Sequence, residues 1–229
     1  MISHEHKCIF IHIPKAAGQS VEHYFLKKLG LDWNSRSPLL LRKNNEPNAG
    51  PPTLAHMQAI EYVRYHYISR QLFDEYFKFS FVRNPWSRLV STYKFLGFHS
   101  IISFKTFIDH QLPVLMKGKN WFVSPQYEYL YHNDVLMVDF VGKFEFLQED
   151  FKKVCERLGF NDNVLPHVNK SKEEHWKGTK ALIKNPNLIR KISFKNTFLP
   201  DYREYYSAAL RDKIHQIYEK DINLFEYAF

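Results

Sequence analysis

The sequence predicts a three-layer α/β fold built around a mainly parallel sheet. Short apolar runs suited to strands, CIFIHI at 8–13 and FKFSFV at 77–82, alternate along the chain with helically spaced segments. The turns between them are rich in Pro, Gly and Asn. The length, 229 residues with 45% hydrophobic, suits one domain spanning 1–229 with a sizeable core.

Each element has a local reason. Residues 8–13 form an apolar strand, and Gly18 to Leu29 follow as a helix carrying Val21, Phe25 and Leu29 near helical spacing. Residues 32–52 have no period and contain Pro, Asn, Gly and Ser, so they read as a long functional loop. Thr53, after Pro51 and Pro52, is placed to cap a helix over 54–72. The strand 77–82 is followed by Asn84 as cap and Pro85 at the first helical position, opening a helix to about Leu96. Phe104 to Leu112 and Val123 to Tyr131 read as helical, and 135–145 as one or two short strands. Residues 147–158 make a helix closed by Gly159, and 201–222 a long C-terminal helical region. The aromatic clusters YEYLY and YREYY read as core, while Gln126 and Tyr127 are candidates to face an acceptor.

The net charge of +8 attracts anions without choosing among nucleotides, acidic polysaccharides and other polyanions. No basic stripe interleaved with aromatics points to nucleic acid. Cys8 and Cys155 fall in a strand and a helix, with neither disulfide nor zinc spacing, and read as buried small apolar residues. His4 and His6 form an H-x-H without a third ligand, so no metal is expected. No apolar run reaches the ~18 residues of a membrane span. The start MISHEHK has no signal-peptide core, so the expectation is a soluble, cytoplasmic protein.

Two loops carry the chemistry. In HIPKAAGQS an apolar run ends at Ile13 and a helix begins near Gly18. Unpaired N–H groups and the helix dipole make such a start an anion site. Gly18 permits close backbone approach, Gln19 and Ser20 add donors, and Lys15 adds a point charge. The phosphate loop G-x-x-x-x-G-K-[ST] has its lysine after the last glycine; here Lys15 comes before it. In FVRNPWSRLVSTY, Arg83 stands at a strand end where its fork can grip a phosphate. Ser87 and Ser91 share a helix face, and Arg88 reads as a structural ion-pair residue. Both loops fall at C-terminal strand ends, the edge where open α/β sheets bind ligands. Two separate phosphate sites suit a nucleotide phosphorylated at two positions.

HIPKAAGQS resembles the 5′-phosphosulfate loop of the carbohydrate-type (Golgi and bacterial, family 2-like) sulfotransferases, and FVRNPWSRLVSTY resembles their 3′-phosphate motif. The order, the separation, and the later VDFVGKFEFLQEDFKKVCERLG and LPHVNKS are similar too, so that the resemblance covers roughly 8–172. Ala16-Ala17 stands where the family often has Thr-Ala or Thr-Gly, which loses a hydroxyl and keeps small residues. The resemblance implies a P-loop-like sulfotransferase fold with no Walker lysine or magnesium site. It implies 3′-phosphoadenosine 5′-phosphosulfate (PAPS) as donor, adenosine 3′,5′-bisphosphate (PAP) as product, and a carbohydrate or glycan hydroxyl as acceptor. Lys15, Ala16, Ala17, Gly18, Gln19 and Ser20 would hold the 5′-phosphosulfate, with Lys15 serving the leaving oxygen. Arg83 and Ser91 would hold the 3′-phosphate. Asn169, Lys170 and Ser171 would close over the nucleotide.

The acceptor hydroxyl needs a base, and histidine suits neutral pH. His56, in PPTLAHMQA, resembles the family's histidine between the two phosphate motifs, and a helix start there would keep its ring neutral. Glu61 and His66 are weaker candidates, and His12 reads as structural. Two rival readings stay open: a magnesium-dependent nucleotide kinase, disfavoured by the missing Walker lysine, and a catalytically inactive module gripping anionic glycans or nucleotides.

Overall fold

The computed structural model describes residues 1–166, 176–184, 188, 191–192 and 199–229. In chain order the strands are β1 (Ile2–Ser3), β2 (Cys8–Ile11), β3 (Phe77–Val82), β4 (Tyr131–His132), β5 (Val135–Leu136) and β6 (Phe140–Lys143). The helices are α1 (Gly18–Lys28), α2 (Ala59–Arg64), α3 (Arg70–Glu75), α4 (Pro85–Phe95), α5 (Phe104–Thr106), α6 (Leu112–Lys117), α7 (Tyr127–Leu130), α8 (Leu147–Leu158), α9 (Trp176–Lys184), α10 (Ala208–Ile217) and α11 (Glu219–Leu224). Two compact units are present: Met1–Arg83 with Gln126–Lys170, and Asn84–Pro125 with Ser171–Phe229.

The first unit holds the α/β sheet, in the order β1-β2-β3-β6. β2, β3 and β6 run parallel and β1 is antiparallel to β2. Parallel neighbours require a crossover, which the helices between β2 and β3 and between β3 and β6 supply. Phe10 is registered with Phe79, and Phe81 with Gly142. Phe10, Phe79 and Phe81 are fully buried and pack with Val21 and Phe25 of α1 and Phe151 and Val154 of α8. Aromatic rings pack against one another in this layer, with centroids 5.2 Å apart for Phe10–Phe79 and 6.0 Å for Phe25–Phe79. Cys8 and Cys155 are both free and buried in the same core. Gly142 is dictated by packing, since a β-carbon there would lie 2.5 Å from the Phe81 ring and 3.0 Å from Cβ of Asp150. The Asp150 carboxylate accepts from the Lys143 N–H (2.8 Å) and the Lys153 ammonium (2.7 Å), tying α8 to β6.

The loop 32–52 is ordered. The Asn44 N–H donates to the Pro52 carbonyl (2.9 Å), the Leu54 N–H to the Arg42 carbonyl (3.1 Å), and Lys43 forms an antiparallel bridge with Thr53. The helix expected over 54–72 is absent as one element. Leu54–His56 is a single 3₁₀ turn without a Thr53 side-chain cap, and the backbone is extended at Met57 and Gln58. A reciprocal capping box between Gln58 and Glu61 restarts the chain as α2, and Ser69 caps α3. These internal caps favour restarting the helix over continuing it. The expected helix 123–131 contracts to α7, followed by a β4–β5 hairpin whose turn residues Asn133 (φ 49°) and Asp134 (φ 59°) are left-handed.

In the second unit, Asn84 Oδ1 accepts from the Trp86 and Ser87 N–H groups (3.1 and 3.2 Å) with Pro85 in the first turn of α4, as the residue pattern requires. Its core gathers Trp86, Leu89, Tyr93, Phe104, Phe107 and Ile214. The helix expected over 104–112 is interrupted by a π-helical turn, Phe107–Gln111. The 201–222 region divides into a 3₁₀ turn (Tyr202–Tyr205), α10 capped by Ser207, and α11. Arg88 is structural, though through carbonyls: it donates to Ser124 O at 3.0 and 2.9 Å.

Gly142→Ala should cost about 1–3 kcal/mol, because both neighbours are held by the packed core. A lowered urea midpoint at unchanged m-value is the expected result, and an unchanged midpoint would show that the Phe81 ring yields freely.

Candidate functional site

The first loop grows from the end of β2. The buried Ser80 hydroxyl donates to the Ile11 carbonyl (2.7 Å), where the β2 backbone leaves the sheet. The chain then turns through 12–17 into α1. The Ala16 N–H donates to the Ile13 carbonyl (3.3 Å) and the Ser20 N–H to the Ala17 carbonyl (3.0 Å). Lys15 (φ 68°) and Ala17 (φ 67°) are both left-handed, a conformation that costs a non-glycine residue roughly 1–2 kcal/mol. Such strain persists where the surroundings over-determine it, commonly at functional sites. Ala17 is the N-cap of α1 and makes no side-chain cap. Among the described residues, the Ala17 and Gly18 N–H groups have no protein acceptor. An eleven-residue helix thus begins with open donors at its positive end, beside Lys15.

Gly18 is needed for a reason different from the one the residue pattern suggested. A β-carbon at Gly18 would lie 2.0 Å from Cδ2 and Nε2 of His12. The imidazole of His12 occupies the space a side chain would take, so the glycine serves the histidine directly.

His12 is the hub of a buried cluster. It is 6% exposed, and its Nδ1 lies 2.6 Å from Oε1 of Glu22, which is 2% exposed. Its ring meets His56 edge-on, with centroids 4.5 Å apart at 62°. His56 Nδ1 is 3.5 Å from the His12 carbonyl oxygen. Donation along that long contact places the proton on Nδ1 and the lone pair on Nε2, the tautomer a base needs. The pKa of His56 is pushed down to about 3, first by burial and then by the neighbouring His12. The ring is therefore neutral at physiological pH. Because His56 sits in a 3₁₀ turn, burial and His12 are responsible, replacing the helix-start field expected from sequence. Leu54 and Met57, both fully buried, and the Lys43–Thr53 bridge fix the turn that carries it.

The weaker base candidates have other settings. The Glu61 carboxylate accepts from the Gln58 N–H (2.7 Å) as a helix cap, and burial raises its pKa. His66 is exposed and left-handed (φ 60°) beyond the end of α2.

Arg83 follows β3 directly, and its backbone is clamped by Gln126. The Arg83 N–H donates to Gln126 Oε1 (2.9 Å), and Gln126 Nε2 donates to the Arg83 carbonyl (2.7 Å). Gln126 is fully buried, a clamp on Arg83 instead of the acceptor-facing group considered from sequence. The guanidinium donates to the Lys15 carbonyl (3.2 Å) and lies 4.1 Å over the Phe144 ring. Arg83 thus joins the end of β3 to the loop after β2. Gln19 and Ser20 are partly exposed in the first turn of α1. Ser91 is partly exposed on α4, in the second unit. Asn169, Lys170 and Ser171 lie outside the described residues. No group of three or more His, Cys, Asp or Glu among the described residues could hold a metal ion, and none of the described helices is long and apolar enough to cross a membrane.

Sequence reading missed Glu22 and Phe144, gave Gln126 a different role, and gave His12 only a structural place. One signal was available: Glu22 falls between Val21 and Tyr24 on the apolar face of α1, and a buried carboxylate requires a partner.

Two measurements check this geometry. Gly18→Ala should destabilise by about 1–3 kcal/mol, and adding His12→Ala should relieve most of that cost; additive costs would mean the His12 ring does not occupy the space. The depressed pKa of His56 implies stability that is complete above about 6.5 and lost progressively as pH falls toward about 3, because the unfolded chain takes up the proton first. Urea midpoints between about pH 7 and pH 4 should fall more steeply for wild type than for His56→Asn, by up to ~1.4 kcal/mol per pH unit.

The family model described as "Sulfotransferase family" matches residues 1–228. An uncharacterized protein of Archaeoglobus fulgidus is 30% identical over 117 residues, which is 48% of this chain and 90% of that relative. With a central, mostly parallel sheet flanked by helices and a family match over nearly every residue, this chain belongs to the sulfotransferase family.

Proposed function

We propose that the chain acts as a single sulfotransferase domain that moves a sulfuryl group from 3′-phosphoadenosine 5′-phosphosulfate to a hydroxyl of a carbohydrate acceptor. The observation that carries this reading is the meeting of three features beside β2 and β3. They are a left-handed loop with open N–H groups at Ala17 and Gly18, the Arg83 guanidinium bonded to that loop, and a neutral His56 packed on His12. The donor set fits a phosphosulfate: backbone N–H groups at a helix start with a lysine beside them.

When bound, the donor supplies an activated sulfuryl group and a phosphate that leaves. Nε2 of His56 takes the acceptor hydroxyl proton as the new O–S bond forms. Lys15 and the Ala17 and Gly18 N–H groups stabilise the negative charge that grows on the departing phosphate oxygen. The left-handed backbone is already set before binding, so these donors need little reorganisation. The 3′-phosphate roles of Arg83 and Ser91, and the loop roles of Ala16, Gln19 and Ser20, follow from the matching motif positions. So do the nucleotide-closing roles of Asn169, Lys170 and Ser171. The surplus of 32 Lys and Arg over 24 Asp and Glu favours an acidic glycan among carbohydrate acceptors.

Thermal unfolding without magnesium tests the donor assignment. Adenosine 3′,5′-bisphosphate at about a hundred times its dissociation constant should stabilise the wild type by ~2.7 kcal/mol, with ADP much weaker and the effect reduced in Arg83→Ala. Sulfuryl transfer to a panel of glycans should fall ~10²–10⁴-fold in His56→Asn, while Lys15→Ala should lose kcat more than donor affinity. Polyanion binding without transfer would support the inactive-module reading. An equal response to ADP would end the donor assignment.

A further inference from the structure

Glu22 and His12 form a buried acid–histidine contact beside the loop, and the mechanism above leaves both roles unassigned. Position 22 lies in the second turn of α1, between Val21 and Tyr24, which are both buried. An apolar residue would satisfy that face, and a carboxylate is costly to bury without a partner. The partner here is His12 Nδ1, 2.6 Å away. With one nitrogen held by Glu22, the face of the His12 ring over Cδ2 and Nε2 lies against Gly18. The same ring makes the edge-on contact with His56. Phe10 stacks against it, with centroids 5.8 Å apart at 20°. A single imidazole orientation therefore sets two things together: the backbone at the start of α1 and the ring of His56.

We propose that the Glu22–His12 pair is a positioning device for the sulfuryl-transfer site, holding His56 and the Gly18 backbone in a common register. It rests on the reading of His56 as base and of the loop as donor site. His12 touches no reacting atom in this account; it acts through its two neighbours. A misplacement of ~1 Å between base and loop is enough to cost ~10²-fold in rate. The bond from Glu22 is what stops the His12 ring from turning.

The test compares wild type with Glu22→Gln, Glu22→Leu and His12→Asn. Glu22→Gln keeps an acceptor for the His12 N–H, whereas Glu22→Leu removes it and leaves an apolar side chain suited to the core. His12→Asn keeps a donor for Glu22 but removes the ring that faces His56, so it serves if Glu22→Leu fails to fold. The readouts are kcat and donor KM below the unfolding range, and the ¹⁵N ring shifts of His56. Positioning predicts that Glu22→Leu and His12→Asn lose ~10–100-fold in kcat with little change in donor KM, and that the His56 shifts move. Glu22→Gln should restore most of the rate. Undiminished kcat in a folded Glu22→Leu or His12→Asn would overturn the proposal while leaving the sulfotransferase reading intact. If the wild type neither binds adenosine 3′,5′-bisphosphate nor transfers sulfate, the underlying reading fails. The His56 shifts then decide: unchanged in Glu22→Leu or His12→Asn, they reject positioning, and displaced, they sustain it.

Discussion

The His12 imidazole lies against the backbone of Gly18, in space that any side chain at position 18 would fill. That contact joins a strand end to a helix start at closer range than ordinary side-chain packing permits. The left-handed turn at Lys15 and Ala17 spans the gap, and the two open N–H groups lie where the turn becomes α1. A loop carrying two strained residues keeps its shape only if the parts around it are fixed. Here they are fixed from several sides. Glu22 holds His12, Ser80 holds the last carbonyl of β2, and Arg83 holds the Lys15 carbonyl. The aromatic layer of Phe10, Phe79 and Phe25 holds the strand and helix themselves.

Under the proposed function, this arrangement would let one short loop serve a phosphosulfate without the usual nucleotide-loop signature. The lysine precedes the glycine because the backbone reaches the helix through Lys15 and Ala17, with the glycine reserved for the histidine behind it. The proposed base, His56, follows the long 32–52 excursion, which the Lys43–Thr53 bridge closes. Burial of His56 beside a second histidine keeps it unprotonated, so its pKa follows from the same packing that positions it.

Much of this was legible locally. The strand, loop and helix through 8–28 announce themselves by an apolar run, a proline and a glycine, and the Asn84-Pro85 start of α4 is a capping pattern contained in a few residues. The α/β class follows from such units repeated. The break in the 54–72 segment was harder, because Gln58 and Glu61 look like ordinary helix formers until their side chains turn to cap α2. The site relations were hardest. His12 and His56 are distant in sequence, as are Arg83 and Gln126, and no local period relates either pair. His12 read only as structural; the fold shows that Glu22, Gly18 and His56 surround it.

The most direct test of the account is the structure of the complex with adenosine 3′,5′-bisphosphate. The account predicts the 5′-phosphate within hydrogen-bonding distance of the Ala17 and Gly18 N–H groups and of the Lys15 ammonium, with the His12 ring still against Gly18. A 5′-phosphate bound away from this loop, or a loop that abandons its left-handed residues to bind it, would contradict the claim that the donor site is built in advance.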